Sequence, residues 1–304
     1  MEKLQNQISN VRMTRRGFGL GASAATLGYM VHSGSRYHQE EPGRVEPDDE
    51  EVVDGEETFE AYNELSDSGY FREDVRRFAE QFSLEVDEVL ENLDVYSAIQ
   101  DNFALPNIKH ALLRQNLEAL APAIGFAESR YKDALSEVGA FGPMQLMPGT
   151  WEELSKEGED IHDVVVQVQV AARLMEQSYR HVMNSCEQEL SIIEEEFFAG
   201  DTEAFETEFL TPLFINSYNA GMGSMVLLVQ EFVKLCPKAS DTVMLFEQSE
   251  TLTGYDVFIG MTHTGNLRGW ADWYKDVAAN YTCKVYGAHK AVAEYFAQQK
   301  NGNA

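Results

Sequence analysis

The segment Glu128–Trp151 reads ESRYKDALSEVGAFGPMQLMPGTW and differs from the rest of this very acidic chain. It follows an apolar run that ends at Glu128, and it concentrates residues that turn or stiffen a backbone, namely Gly139, Gly142, Pro143, Pro148 and Gly149. A carboxyl group buried at the end of an apolar helix stays protonated near neutrality and can donate its proton. Glycines let a polymer approach the backbone of the facing loop closely. The pattern indicates either a site for acid catalysis or an ordinary turn after a solvated glutamate, and spacing alone favours the turn.

The charge of the chain restricts its partners. The 304 residues include 51 acidic and 23 basic side chains, for a formal net charge of -28. Such a surface repels phosphates, so nucleic acid is excluded as a partner. Cys186, Cys236 and Cys283 are too far apart for a metal knuckle; either one disulfide with a spare thiol or three unpaired buried thiols fit them. The histidines show no metal-ligand spacing, so no metal is expected.

The N-terminal region has the layout of an export signal. Arg15 and Arg16 precede the uncharged stretch 17–31, which is rich in small residues. This is similar to a twin-arginine signal, and the stretch is too short and too rich in glycine and alanine for a stable membrane span. We expect residues 1–35 to be this signal or an anchor, with cleavage left open. Residues 36–58 are acidic and predict a disordered linker. The protein is therefore expected at the cell surface, in the periplasm or outside the cell.

Helical spacing dominates the remaining chain. Apolar residues recur at intervals of three and four in four runs, 71–82, 106–128, 164–183 and 225–235. Strand-like alternation is scarce, so we expect a mainly α fold. Pro106 is predicted to open the second run as a helix, and Pro122 predicts two helices or a kink there. We expect an N-terminal helical extension over 59–105 and a catalytic domain over 106–304. An acidic amphipathic insert, 186–208, is expected to cover a cleft or meet a partner.

Two motifs separated by a helix carry the strongest functional signal. The first combines Glu128-Ser129, Gly139-Ala140 and Gly142 with Met144-Gln145-Leu146-Met147-Pro148, and the second is Ser217-Tyr218-Asn219-Ala220-Gly221. Together they resemble the signature of the soluble lytic transglycosylase family, over roughly Pro106 to Tyr281. The resemblance implies the helical fold of goose-type lysozyme, here with extra N-terminal helices. One departure is Pro143, which stands where the family usually has leucine and stiffens the loop.

The first motif supplies the acid and part of the cleft. By resemblance, Glu128 is the sole catalytic acid and base, and Ser129 orients it or the substrate through its hydroxyl group. Met144 and Gln145 are expected to line the cleft, with the glutamine donating hydrogen bonds to sugar substituents. The resemblance implies no metal and no organic cofactor.

The second motif and the C-terminal region supply the rest of the site. Tyr218 is expected to hydrogen-bond near Glu128, and Asn219 to help shape the site. The family also places a cleft tyrosine near the C-terminus, preceded by a Glu-Thr pair. Tyr274 is the candidate for this residue, although Trp270-Ala271 occupies the place of the pair. The far wall of the cleft is therefore the least defined part of the prediction.

The resemblance implies cleavage of the β-1,4 bond between N-acetylmuramic acid and N-acetylglucosamine in peptidoglycan. Glu128 protonates the leaving oxygen and then, as a base, assists closure of a 1,6-anhydro ring. If water reaches the reacting carbon instead, the same site acts as a lysozyme-like hydrolase of murein or a related N-acetylated glycan. A non-catalytic glycan-binding wall module is the alternative outside the enzymes. Retention of Glu128 argues against it, because loss of that residue is the simplest route to a binding protein.

Overall fold

The computed structural model describes residues 69–86, 93–238, 253–267 and 279–302. The predicted signal, the predicted acidic linker and Tyr274 lie outside these residues. Within them the chain is helical, and its β pairing is limited to two isolated bridges, which confirms the mainly α prediction. None of the described helices combines the length and apolar character that a membrane crossing requires.

The described helices pack around one apolar core, and the long loop 130–147 separates the third helix from the fourth. In chain order they are α1 (Gly69–Ser83), α2 (Leu93–Asn102), α3 (Ala111–Ser129), α4 (Pro148–Leu154), α5 (Val164–Ser185), α6 (Glu187–Phe198), α7 (Thr202–Ala204), a π-helix (Phe205–Leu210), α8 (Thr211–Ala220), α9 (Met222–Leu235), α10 (Gly254–Leu267) and α11 (Ala279–Gly302).

Helix α3 crosses the core and carries Glu128 in its last turn. Its residues from Leu120 to Ala127 are all buried, so apolar packing surrounds its second half. The helix is continuous through Pro122, so of the two predicted alternatives, two helices or one helix with a kink, the first is wrong. Burial of apolar surface on all sides offsets the loss of one backbone hydrogen bond at the proline.

The prediction that Pro106 opens this helix is wrong, because α3 begins at Ala111. Carboxylates satisfy the preceding backbone instead. Glu118 accepts the backbone N–H of Leu105 at 2.7 Å, and Glu176 accepts that of Asn107 at 2.8 Å. Glu118 lies within α3 and Glu176 in α5, 13 and 69 positions from the groups that they accept, so no local pattern indicates these contacts.

The acidic insert is part of the core and extends into the π-helix. Ile193 is fully buried, and the ring centroid of Phe198 lies 5.4 Å from that of Phe205. Glu206 is buried and accepts the backbone N–H of Leu113 at 3.1 Å, which satisfies a donor in the first turn of α3. Glu208 likewise accepts the first N–H of α10. Two acidic side chains of the insert therefore accept backbone hydrogen bonds at the starts of other helices.

The last helix, α11, packs closely on the first. A side chain at Gly287 would bring its Cβ within 2.5 Å of the Cβ of Phe78 and 3.0 Å of the carbonyl oxygen of Val75. The ring of Phe71 in α1 stacks on Tyr255 of α10 at 4.5 Å between centroids. Helix α11 also packs along α3, which brings its N-terminal turn to the end of α3 where Glu128 lies.

All three cysteines are buried, and no disulfide joins them. Burial raises the pKa of the Cys186 thiol to about 12, and it also raises the pKa of Cys283. Of the two alternatives left open by the sequence, the structure has three buried thiols.

Candidate active site

Glu128 and Tyr281 form the centre of the site. The Tyr281 hydroxyl donates a short hydrogen bond of 2.6 Å to Oε1 of Glu128. The Glu128 side chain keeps a partial opening to solvent, while its carboxyl group lies below the surface. Burial raises the pKa of this carboxyl, and the charge of Lys284 and the Tyr281 hydrogen bond partly offset that rise. The outcome is a carboxyl group that holds its proton more tightly than a solvated glutamate does.

Arg130 fixes the end of the helix that carries Glu128. It adopts the left-handed conformation at φ 58° and donates its backbone N–H to Phe126. Its guanidinium group lies 4.5 Å from the ring centroid of Phe82 and 5.1 Å from that of Phe126, and it pairs with Glu85 at 2.6 Å. The same group donates to two carbonyl oxygens at the end of α3. These contacts satisfy acceptors that a helix end otherwise leaves open, so the backbone at Glu128 is held in place.

The glycine-rich loop folds back on itself beside Glu128. Phe141 exchanges two backbone hydrogen bonds of 3.0 Å with Leu146, and Gly142 donates its N–H to Ala134 at 3.1 Å. Gly142 has φ +73°, and a side chain there would collide with Gln167. Only glycine meets both conditions at this position.

Ser129 and Tyr218 tie this loop to the helices. The Ser129 hydroxyl donates to the carbonyl oxygen of Pro143 at 2.9 Å, and the Tyr218 hydroxyl donates to that of Met144 at 2.7 Å. Burial raises the pKa of Tyr218 well above the usual range. The charge of Glu128 adds to this rise, so Tyr218 and Glu128 are close enough to interact electrostatically. The two hydroxyl groups therefore hold consecutive carbonyls of the loop next to Glu128.

The remaining candidates occupy distinct positions. The Met144 side chain is fully buried in the core. Gln145 has φ +48°, and its side-chain amide donates to the carbonyl oxygens of Ala134 and Gly142 at 3.0 and 2.9 Å. Asn219 is partly exposed in the last turn of α8. The structure thus brings Ser129 and Tyr218 together with Glu128 through the loop backbone, while the Met144 side chain points into the core.

Tyr281 is a site residue that the sequence analysis missed. It lies in the first turn of α11, seven positions after Tyr274, whose placement falls outside the described residues. The expectation of a C-terminal cleft tyrosine pointed to this part of the chain, but no motif distinguished Tyr281 from its neighbours. Burial raises the pKa of Tyr281 well above its usual range, and the charge of Glu128 contributes, so the phenol is a hydrogen-bond donor at neutral pH.

The arrangement can perform proton transfer. One carboxyl group with a raised pKa lies beside a neutral phenol donor and opens partly to solvent. These are the requirements of a general acid that must later act as a base. Within the described ranges no group of histidine, cysteine or acidic side chains is arranged to hold a metal ion.

Residues 106–227 match the family model described as the Transglycosylase SLT domain. The match confirms the resemblance seen in the sequence, and it includes Glu128, the glycine-rich loop and Tyr218 but ends before Tyr281. It supports, in general, a lytic transglycosylase that acts on peptidoglycan. No curated protein and no solved structure is similar enough to the chain to count as a match.

Proposed function

Because residues 106–227 match the Transglycosylase SLT domain model, we propose that the chain is an exported murein lytic transglycosylase with Glu128 as its only acid and base. The contact that carries the proposal is the hydrogen bond of 2.6 Å between Tyr281 and the buried carboxyl group of Glu128. The arginine pair and small-residue stretch near the N-terminus support export, and a peptidoglycan substrate requires a location outside the cytoplasm.

In the first step Glu128 acts as an acid. Its proton passes to the oxygen that links N-acetylmuramic acid to N-acetylglucosamine, and the bond from that oxygen to C1 of the muramoyl residue breaks. The electron pair of the bond leaves with the oxygen, so positive charge develops at C1. The N-acetyl group of the same sugar stabilises this charge, in place of the second carboxylate of most glycosidases. Tyr281 occupies Oε1 of Glu128, which leaves Oε2 to carry the proton.

In the second step Glu128 acts as a base. Its carboxylate takes the proton of the 6-hydroxyl group of the muramoyl residue, and that oxygen bonds to C1. The product is a 1,6-anhydro ring, and Glu128 has regained its proton. During this step the Tyr281 hydroxyl donates to a charged carboxylate, an interaction about twice as strong as a neutral hydrogen bond.

The loop supports this chemistry by its position. The carbonyls of Pro143 and Met144 are held by Ser129 and Tyr218, so the loop backbone is fixed where a glycan would lie against Glu128. The same geometry permits attack by water at C1, which gives a reducing end instead of an anhydro ring. The product therefore distinguishes the transglycosylase from the lysozyme-like hydrolase.

Mass spectrometry of the products from purified murein and the full chain tests the proposal. Anhydromuramoyl fragments from the wild-type chain, and none from Glu128→Gln, are the expected result. The assay is run at low and high salt, because murein is anionic and the chain has a net charge of -28. Reducing ends would identify a hydrolase. Intact murein at both salt concentrations, bound equally by wild type and Glu128→Gln, would refute catalysis and favour a binding module.

A further inference from the structure

Lys284 lies on the face of α11 that meets Glu128. It follows Tyr281 by three residues in a continuous helix, and residues at this spacing are neighbours on one helix face. Tyr281 contacts Glu128 directly, so Lys284 comes to the same region one turn further along. Its side chain is partly buried. Lysine is seldom buried, and where it is, a charged partner usually compensates the loss of water.

We propose that Lys284 is a positioning residue for Glu128, whose ammonium group stabilises the carboxylate that exists between the two proton transfers. The proposal rests on the proposed function, because it assigns Lys284 a part in the cycle of Glu128.

The two groups act on each other electrostatically. Burial raises the pKa of Glu128, and the positive charge of Lys284 opposes that rise. Burial lowers the pKa of Lys284, and the charge of Glu128 opposes that fall. Each group therefore favours the charged form of the other, as expected of oppositely charged neighbours removed from water.

The surroundings of Glu128 leave this role to Lys284. The hydroxyl groups of Tyr218 and Tyr281 also face Glu128, but burial raises the pKa of both well above the usual range, so both stay neutral. Arg130 and Glu85 act on Lys284 with opposite signs, and they pair with each other at 2.6 Å. Both groups act on Lys284, and the positive charge that lowers the pKa of Glu128 is that of Lys284.

The proposed reaction needs such a partner because Glu128 must visit both protonation states. Burial alone favours the neutral acid and would make the carboxylate of the second step costly to form. A nearby cation offsets part of that cost while leaving the acid form accessible. Lys284 therefore stabilises the carboxylate needed in the second step and still leaves Glu128 able to hold the proton needed in the first.

The test measures the titration of Glu128 directly. In the full chain, the side-chain carboxyl of Glu128 is followed by carbon-13 NMR as a function of pH, with its signal assigned by Glu128→Gln. Lys284→Met removes the charge and keeps most of the side-chain length, so the Glu128 titration is expected to move to higher pH. Lys284→Arg keeps the charge and should restore the wild-type curve. Lys290→Met is the matched control, since Lys290 lies on the same helix and interacts with Glu294 at 3.9 Å.

Kinetics give a second reading. The acid form of Glu128 is lost as pH rises through its pKa, so kcat/KM falls at high pH. In Lys284→Met this fall should occur at a higher pH than in the wild type, and in Lys284→Arg it should occur at the wild-type pH. If Lys284 had only a packing role, its substitution would change the free energy of unfolding and would not change the pH at which kcat/KM falls. If Lys284→Met fails to fold by circular dichroism, Lys284→Gln takes its place.

Identical Glu128 titrations in folded Lys284→Met and Lys290→Met would overturn the proposal, even in a chain that cleaves murein. Failure of the proposed function shows itself differently: the wild-type chain then leaves murein intact, whatever the titration of Glu128.

Discussion

The Tyr281 hydroxyl and Oε1 of Glu128 are 2.6 Å apart, and this bond joins the first turn of α11 to the last turn of α3. The tyrosine comes from a helix that lies beyond the residues matched by the family model. The candidate catalytic centre therefore includes a part of the chain that the family match does not cover.

Tyr281→Phe removes the donor to Glu128 and keeps the ring. Hydrogen bonds to charged groups contribute about 1.5–3 kcal/mol, so we expect kcat to fall about tenfold or more. Because this hydrogen bond lowers the pKa of Glu128, its loss should also raise the pH at which kcat/KM falls. Tyr295→Phe, at a half-buried position near the other end of the same helix, is the control and should leave both quantities unchanged. Equal kinetics in the two variants would show that Tyr281 has no role in turnover.

Glu128→Gln should abolish turnover and stabilise the protein at pH values above the raised pKa of Glu128. Loss of a general acid typically costs about 100-fold or more in rate. Burial raises the pKa of Glu128 in the folded protein, so the folded state binds this proton more tightly than the unfolded chain. The free energy of unfolding therefore falls as pH rises from the unfolded pKa through the folded pKa, and then stays level. Glutamine removes this loss.

Urea unfolding of wild type and Glu128→Gln across a pH series checks the sign. The difference in favour of the variant should be absent at low pH and grow as pH rises. A difference that is constant with pH would mean that Glu128 titrates as a solvated residue and is not held as an acid.

Gly142→Ala should destabilise the protein more than the same change at Gly158. Both glycines have positive φ, +73° and +85°, so both substitutions pay for a left-handed backbone, about 1–2 kcal/mol. Only at Gly142 does the added methyl group also collide with Gln167, and such overpacking costs a further amount of about 1–3 kcal/mol. Chemical denaturation of both variants measures the difference. The cost of Gly142→Ala should shrink in a Gln167→Ala background, and equal costs in both backgrounds would exclude the collision.

Arg130→Met should lower the free energy of unfolding by about 1–3 kcal/mol, since it removes the charge-assisted bonds at the end of α3. Arg76→Met is the matched control, because Arg76 pairs with Glu80 on an exposed face of α1 and such pairs contribute about 0.5 kcal/mol or less. Denaturant unfolding compares the two variants. Equal losses would mean that the ring contacts and carbonyl bonds of Arg130 add nothing to its salt bridge.

The sequence predicted the parts of the site that local pattern controls. The apolar period before Glu128 indicated a helix that ends at the acid, and the glycines indicated a turn with unusual backbone angles; both features are present. Motif residues also indicated which positions lie near the acid. They did not indicate which way each side chain points: Met144, expected in the cleft, has its side chain in the core, while the cleft role of the partly exposed Gln145 stays a prediction.

Long-range contacts account for what the sequence left open. Glu118 within α3 and Glu176 in α5 accept backbone N–H groups of the segment before α3, and α3 is continuous at Pro122. Tyr281 reaches Glu128 across 153 positions. Contacts of this kind depend on how helices pack in three dimensions, and helical periodicity only indicates which residues are buried.

The close packing of α11 on α1 and α3 has a consequence for the life of the chain before it reaches its substrate. A ribosome makes Glu128, the glycine-rich loop and Tyr218 well before the helix that supplies Tyr281 and packs against Phe78. The nascent chain therefore carries Glu128 before the hydrogen bond from Tyr281 can form. A chain that ended before residue 279 would contain both family motifs and lack that hydrogen bond. The proposed acid therefore gains its phenol donor only after the residues of both motifs have been made.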